Sequence, residues 1–462
     1  MKRVFVFGID GAMPELVFGD WLDELPNIKK LIREGGYARL NSSIPPLSVT
    51  AWTSIITGKS SADTGIFEYI YRKNHSYEDY GIITSNELKE KTVWEIISDE
   101  NKKSVVCYIP LTWPIKKFNG WIISDSLFGA VKDTSKCVYP LELKNEIESF
   151  LGGIPPLDMP NFRDLTKEQI IEGTQDLESK RAEIMKYLIK SKDWDYFFAI
   201  SGMSDRMNHT FWKYVDKGHR KYDPNSKFRN TLKDYYKFVD GKLGEILELL
   251  DKDTTIIVLS DHGITRMHTR VNLTDWLIKE GYMVLKNPVK EKCEFKFNLV
   301  DWSKTSVFAI GAYEGQIFIN LKGREPAGIV EEKDYNNLIK ELSEKLKGIR
   351  GDNGKILDTK IFNKEEHLKG KYENIAPDII VYFDNLEYGC NTTLVGNETL
   401  WSPNTAKGSD DAAHSRQGIF IIKNNKANGN LGEISAIDVA PTILNELGLK
   451  IPEDMRGKII GD

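Results

Sequence analysis

Three aspartates stand just beyond apolar, strand-like runs: Asp10 after VFVFGI, Asp205 after DYFFAISGMS and Asp261 after TIIVLS. Each has a companion suited to turning or ligation. Gly11 follows Asp10, His209 comes four residues after Asp205, and His262 adjoins Asp261. Carboxylates and imidazoles gathered at the ends of buried strands are costly unless something offsets their charge, and a pair of divalent cations does so. The pattern therefore predicts a two-metal enzyme. His414, in DDAAHSRQGIFII ahead of another apolar run, adds an imidazole, and IPPLSVTAWTSIITG offers hydroxyls at Ser48 and Thr50 before a helix-like stretch. A hydroxyl there caps a helix, and the same N-terminus presents backbone N–H groups to a phosphate.

Taken singly, each motif has an ordinary reading. Asp10-Gly11 is a turn dipeptide, Asp205 and His209 make a surface i, i+4 pair, and His414 is a lone structural histidine. Their recurrence at successive strand ends, in a chain with only seven histidines, favours the metal site. His75, His219, His268 and His367 fall in polar loops or on helix surfaces and receive no role.

The elements that must position these residues alternate. VFVFGI precedes PNIKKLIREG, TVWEIISDENKK precedes SVVCYIP, EIMKYLIKS precedes WDYFFAI, and FVDGKLGEILELLDK precedes TTIIVLS. Strand and helix in turn specify a parallel α/β sheet, whose ligand crevice lies beyond the carboxyl ends of the strands. From Ile264 to about Ile375 the rhythm changes, with WSKTSVFAI and GQIFINLKG as strands and YNNLIKELSEKLKGI as a long polar helix, which predicts an inserted cap. GGIPPLDMPN, within about 130–164, reads as a loop excursion.

Bulk properties agree with a soluble enzyme. The 462 residues suit one large α/β domain with an insertion, or two domains. With 63 basic and 68 acidic residues, the net charge of −5 argues against a polymeric nucleic-acid partner held by bulk charge. Four scattered cysteines form neither a disulfide framework nor a zinc ribbon. The start MKRVFVFGIDG reads as a first strand rather than a targeting peptide, and no run approaches the roughly 18 apolar residues of a membrane span. A cytoplasmic protein with no membrane partner is the expectation.

The order GIDG, a hydroxyl residue ahead of AWTSIITGK and GIF, SDRMNH, SDHG and AAHSRQGIF resembles the alkaline phosphatase superfamily. Within it the chain looks most like the type I phosphodiesterase and nucleotide pyrophosphatase group, particularly its prokaryotic members. The likeness is collinear over 1–69, about 193–283 and 410–457. It implies an α/β, alkaline-phosphatase-like three-layer sandwich with a mostly parallel central sheet over 1–263 and 376–462, and a cap subdomain inserted over 264–375. It also implies one metal held by Asp205, His209 and His414 and another by Asp10, Asp261 and His262, with the nucleophile bridging toward the second. Counting back from Thr57 and Gly58 puts that nucleophile on Ser48, where the group more often has threonine. Thr50 is the alternative if the alignment slips by two. Tyr69 stands where nucleotide pyrophosphatases carry a phosphate-holding asparagine, and Lys59 is a further candidate for binding phosphate.

Mixed histidine and carboxylate ligation favours Zn2+, with Mn2+ second and magnesium disfavoured. The implied reaction is hydrolysis of a small-molecule phosphodiester, nucleotide derivatives among them, through a covalent phosphoserine. A phosphomonoesterase would use the same residues and differ in room for a second ester group. A cofactor-independent phosphomutase would place its large insertion directly after the nucleophile, whereas the principal one here follows Asp261. Nothing around Ser48 reads as the sulfatase signature C/S-x-P-x-R.

Overall fold

In the computed structural model, which describes residues 2–125, 131, 133–153, 157–159, 161–403 and 410–461, nine strands form one central sheet. Its middle is the strand Val4–Ile9, flanked by Thr255–Leu259 on one side and Tyr196–Ser201 on the other, both parallel to it. Outward from Tyr196–Ser201 come Ser104–Cys107, Gly120–Ile123 and Val138–Tyr139; outward from Thr255–Leu259 come Gln417–Lys423, Gly36–Asn41 and Gly429–Ser435. The sheet is mostly parallel. Gln417–Lys423 runs against both of its neighbours, and Val138–Tyr139 against Gly120–Ile123.

The central strands are apolar throughout because both of their faces are covered. From Val4–Ile9, Phe5, Phe7 and Ile9 enter a core beneath the helices Pro26–Glu34, Lys167–Ser191 and Thr231–Leu247. Val4 and Val6 enter the opposite core, beneath Ser48–Thr57, Val93–Asp99 and Val439–Glu446. The layers are helix, sheet, helix. Lys167–Ser191 begins at a capping box, in which Thr166 N–H donates to the Gln169 side chain at 2.9 Å and Gln169 N–H donates back at 3.2 Å.

A second sheet, of seven strands, forms the cap, and it reaches further than the sequence suggests. It begins at Thr269–Val271 and includes Val307–Ile310, Gly315–Ile319, Thr359–Asn363, Ile379–Phe383, Tyr388–Cys390 and Trp401–Ser402. The sequence boundary at 375 is thus corrected to about 402. Ile379–Phe383 is as buried and apolar as a core strand, and an apolar run does not reveal which sheet it joins; here it pairs with Gly315–Ile319 and Thr359–Asn363. The 130–164 excursion is also not all loop, since Leu141–Leu151 is a helix and Phe162–Asp164 a 3₁₀ turn. The parts of that excursion at 130, 132, 154–156 and 160 lie outside the described residues. Among the described residues no helix is long and apolar enough to cross a membrane.

Candidate active site

The three strands ending in the acidic motifs are neighbours, so Asp10, Asp205 and Asp261 meet at one edge of the sheet. Two glycines make the approach possible. A Cβ on Gly8 would lie 2.6 Å from the Trp52 ring, so its absence lets Trp52 cross the strand and donate from Nε1 to Asp10 Oδ2 at 3.0 Å. Gly11 turns the chain at φ +70°, and its N–H donates to Asp261 Oδ1 at 3.2 Å. Beyond Tyr196–Ser201 the helix Met203–Phe211 starts at once, and its pitch puts Asp205 and His209 on one face. His414 belongs to a small antiparallel ladder, Gly263–Arg266 against Ala412–Ser415, and His262 immediately precedes it, so that their rings stack at 3.7 Å.

Each imidazole is fixed by its Nδ1. His262 donates to Gly263 O at 2.9 Å, His414 to Pro46 O at 2.8 Å, and His209 bonds Asp410 Oδ1 at 2.8 Å. A carbonyl can only accept, so His262 and His414 carry the proton on Nδ1 and direct the Nε2 lone pair inward. His209 Nε2 lies 3.2 Å from His414 Nε2 and 3.3 Å from Asp205 Oδ1. His262 Nε2 lies 3.2 Å from Asp261 Oδ2 and 3.6 Å from Asp10 Oδ1. Asp10 Oδ1, Asp205 Oδ1 and Asp261 Oδ2 are buried and accept no hydrogen bond.

Such a cluster is strained by its own charge. Burial, and then Asp261 and Asp205, push the Asp10 carboxyl well above its ordinary range; burial pushes Asp261 up to about 8. Burial would lower His209, but Asp205 and Asp410 more than offset it and hold the ring up to about 10, whereas burial and His262 push His414 well down. Three orphaned carboxylate oxygens facing inward-directed imidazole nitrogens are the donor set of a divalent cation site, and the residues fit one. Two overlapping groups have ligand atoms within 4.8 Å of one another: Asp205, His209 and His414, and Asp10, Asp205 and His262. Asp205 stands in both, and Asp261 reaches the second through its contact with His262.

Ser48 opens the helix Ser48–Thr57, and its hydroxyl lies 3.1 Å from His262 Nε2. Tyr69 hydrogen-bonds the same hydroxyl. Thr50 is placed otherwise: its buried Oγ1 lies 2.7 and 2.8 Å from Pro45 O and Leu47 O, to one of which it donates, and it accepts from Leu47 N–H at 3.3 Å, capping the helix it sits in. Lys59 is also placed away from this centre. The helix between them has ten residues and is about 15 Å long, so Lys59 follows its far end, where Glu90 and Asp454 hold its ammonium. The expectation that Lys59 binds phosphate is therefore corrected.

Asp10, Ser48, Tyr69, Asp205, His209 and His414 line one end of a cavity of about 550 Å³. Its other walls bring in residues the motifs did not mark. Arg206 donates to Asp205 Oδ2 and to Asp158 Oδ2, both at 3.2 Å, while Arg163 donates to Asp410 Oδ2 from Nε and Nη2 at 3.1 and 2.9 Å. Tyr313, from the cap, lies over His414 and His209 with ring centres 5.0 and 5.9 Å away. Trp52 had a usable signal in its i, i+4 spacing from Ser48; Asp410 and Tyr313 had none.

A mostly parallel sheet under two helical layers, with carboxylates and imidazoles at adjacent strand ends and a hydroxyl at a helix N-terminus, defines a phosphoester hydrolase of the alkaline phosphatase superfamily. The sequence matches the family model for type I phosphodiesterase/nucleotide pyrophosphatase over residues 4–391, and the chain belongs to that family. Solved structures share the fold at low identity. An inactive variant of murine ectonucleotide pyrophosphatase/phosphodiesterase 5 in complex with AMP is 12% identical, with a TM-score of 0.57 over 98% of this chain and 97% of that one. The human counterpart is 13% identical, with a TM-score of 0.57 over 98% and 96%. Phosphonoacetate hydrolase from Sinorhizobium meliloti 1021 in complex with phosphonoformate is 14% identical, with a TM-score of 0.58 over 96% and 95%. No curated protein matches the sequence significantly.

Proposed function

We propose that the protein hydrolyses small phosphodiesters, nucleotide derivatives among them, by way of a phosphoserine formed on Ser48. The observation that carries this reading is the Ser48 hydroxyl, 3.1 Å from His262 Nε2 at a helix N-terminus, beside the only cluster of orphaned carboxylate oxygens and inward-facing imidazoles among the described residues. Asp205, His209 and His414 would hold one divalent cation, and Asp10, Asp261 and His262 the other. Histidine with carboxylate is a donor set for zinc, with manganese second. Bound there, the cations supply Lewis acidity at the attacking and leaving oxygens and neutralise phosphoryl charge.

The chain's own residues do the rest. The opening turn of Ser48–Thr57 turns its free backbone N–H groups toward the phosphoryl oxygens, and Tyr69 is placed to donate to Ser48 or to one of those oxygens. The Nδ1 bonds to Gly263 O, Pro46 O and Asp410 keep three rings from turning. A cavity of 550 Å³ leaves room for a second ester group, which supports a diester over a monoester. The mutase reading is disfavoured, because the cap follows His262 rather than Ser48. Comparing kcat/KM for bis(p-nitrophenyl) phosphate and p-nitrophenyl phosphate tests the proposal. A diester preference is expected, and a strong monoester preference would replace it with the phosphomonoesterase.

A further inference from the structure

Tyr69 stands on a short stretch of the core that the cap holds from both sides. Two residues before it, Phe67 O accepts from Gln316 Nε2 at 2.9 Å. Three residues after it, Arg72 ends the strand Ile70–Arg72, which pairs with Tyr80–Ile82 in a hairpin. The bend of that hairpin leaves the core for the cap: the Tyr77 ring stacks on Trp302 with centres 3.5 Å apart, and its hydroxyl donates to Asn320 Oδ1 at 2.5 Å.

Arg72 makes the second hold. Its Nη2 donates to Glu325 Oε2 at 2.5 Å and its Nε to Ser76 O at 3.0 Å, while its guanidinium lies over the rings of Phe308 and Phe318, 4.8 and 5.3 Å from their centres. Phe308 and Phe318 face one another across Val307–Ile310 and Gly315–Ile319, the two strands whose connecting turn carries Tyr313. Gln316 belongs to the second of these strands. Among the described residues, Tyr313 is the one cap side chain that lines the Ser48 cavity. Its turn is fixed in the cap, since Thr392 Oγ1 donates to Gly311 O at 2.6 Å, and Cys390 N and Arg270 Nη1 each donate to Ala312 O at 2.9 Å.

The Arg72 contact has little freedom. The Arg72 and Glu325 side chains are 7% and 1% exposed, and Arg324 Nε donates to Glu325 Oε1 at 3.1 Å, so two guanidinium groups enclose the carboxylate. A planar guanidinium held by a carboxylate at its edge and by aromatic rings at its face keeps one orientation, which an ammonium on a flexible stem does not reproduce. The backbone from Phe67 to Arg72 is thus tied at both ends to the hairpin that presents Tyr313, with Tyr69 between the ties.

We propose that Arg72 and Gln316 are positioning residues that couple the cap to the reaction centre: by pinning the stretch on either side of Tyr69, they set its hydroxyl against Ser48. The proposal rests on reading the Ser48 cavity as the reaction centre. Neither residue touches the metal ligands, so loosening the tie lowers kcat and leaves metal content alone.

The test is a double-mutant cycle on the holoenzyme. kcat and KM for bis(p-nitrophenyl) phosphate, with metal content, are measured in wild type, Arg72→Lys, Tyr69→Phe and the two combined. Lysine keeps the charge and loses the two-sided hold. Arg72→Lys should lower kcat about fivefold or more with both metals retained, and the combined variant should fall no more than about twofold below Tyr69→Phe alone. Wild-type kcat in folded Arg72→Lys, or losses that multiply in the combined variant, overturns the proposal. Should Arg72→Lys not fold, the same cycle with Gln316→Ala decides it by the same two outcomes. Absence of phosphoesterase activity in wild type would instead refute the Ser48 reading. Hydrogen exchange then decides on the tie: Arg72→Lys should speed exchange at 311–316, and unchanged exchange there overturns it.

Discussion

Replacing Asp410 by asparagine probes the contact behind His209. Its Oδ1 accepts from His209 Nδ1 at 2.8 Å, and its Oδ2 takes both Arg163 contacts. Burial would raise this carboxyl, yet His209 and Arg163 hold it well below the usual range. Asparagine keeps the shape and removes the charge, so the ring loses the partner that fixes its tautomer and raises its basicity. Outer partners of this kind set metal affinity by about ten- to hundredfold, or about 1.4 to 2.7 kcal/mol. Arg163 is 41% exposed, so its own pairing is worth at most about 1 kcal/mol, and Arg163→Ala should weaken metal binding less than about fivefold. The assay is metal content after dialysis against graded free-metal buffers. One equivalent should leave the asparagine variant at ten- to hundredfold higher free metal than wild type, while the other stays. Retention of both at wild-type levels, or loss of both together, would refute the reasoning.

Three further outcomes are expected. Ser48→Ala should lower kcat by about 10³-fold or more while metal content is unchanged. Thr50→Ala, which removes the oxygen that caps Leu47 N–H, should keep the chemistry and cost about 1 kcal/mol of stability in chemical denaturation; the reverse pattern would move the nucleophile. In the chelated protein, Asp261 is raised to about 8 from an ordinary 3.8, so the folded state keeps a proton that the unfolded chain releases between those values. Stability is therefore lost as pH rises through that window, and Tm should fall from pH 5 to 8, with Asp261→Asn removing much of the slope. Identical slopes in the two chelated proteins would sink that argument.

The sequence disclosed the site better than its surroundings, for a physical reason. Asp10, Asp205 and Asp261 were legible because a charged group directly after an apolar run must sit at a strand end, and parallel strands bring such ends together. The different settings of Ser48 and Thr50 were not legible, since either hydroxyl could cap a helix whose start the sequence leaves open. Asp410 was not legible as the partner of His209, because 201 residues separate them and a short acidic pair reads as solvated surface. The cap boundary failed at Ile379–Phe383, where burial on both faces erased the periodicity that tells one sheet from another. Lys59 was assigned on its nearness to Ser48 in sequence, although the ten-residue helix between them carries it to the far end.

The central claim is that Ser48 takes the phosphoryl group. Its most direct test is acid quench of the metal-loaded enzyme during turnover of bis(p-nitrophenyl) phosphate, followed by peptide mass spectrometry. The account predicts a single added phosphoryl group on Ser48, absent in Ser48→Ala. Phosphorylation of Thr50 instead, or rapid turnover with no phosphorylated peptide in the quenched wild type, would contradict it.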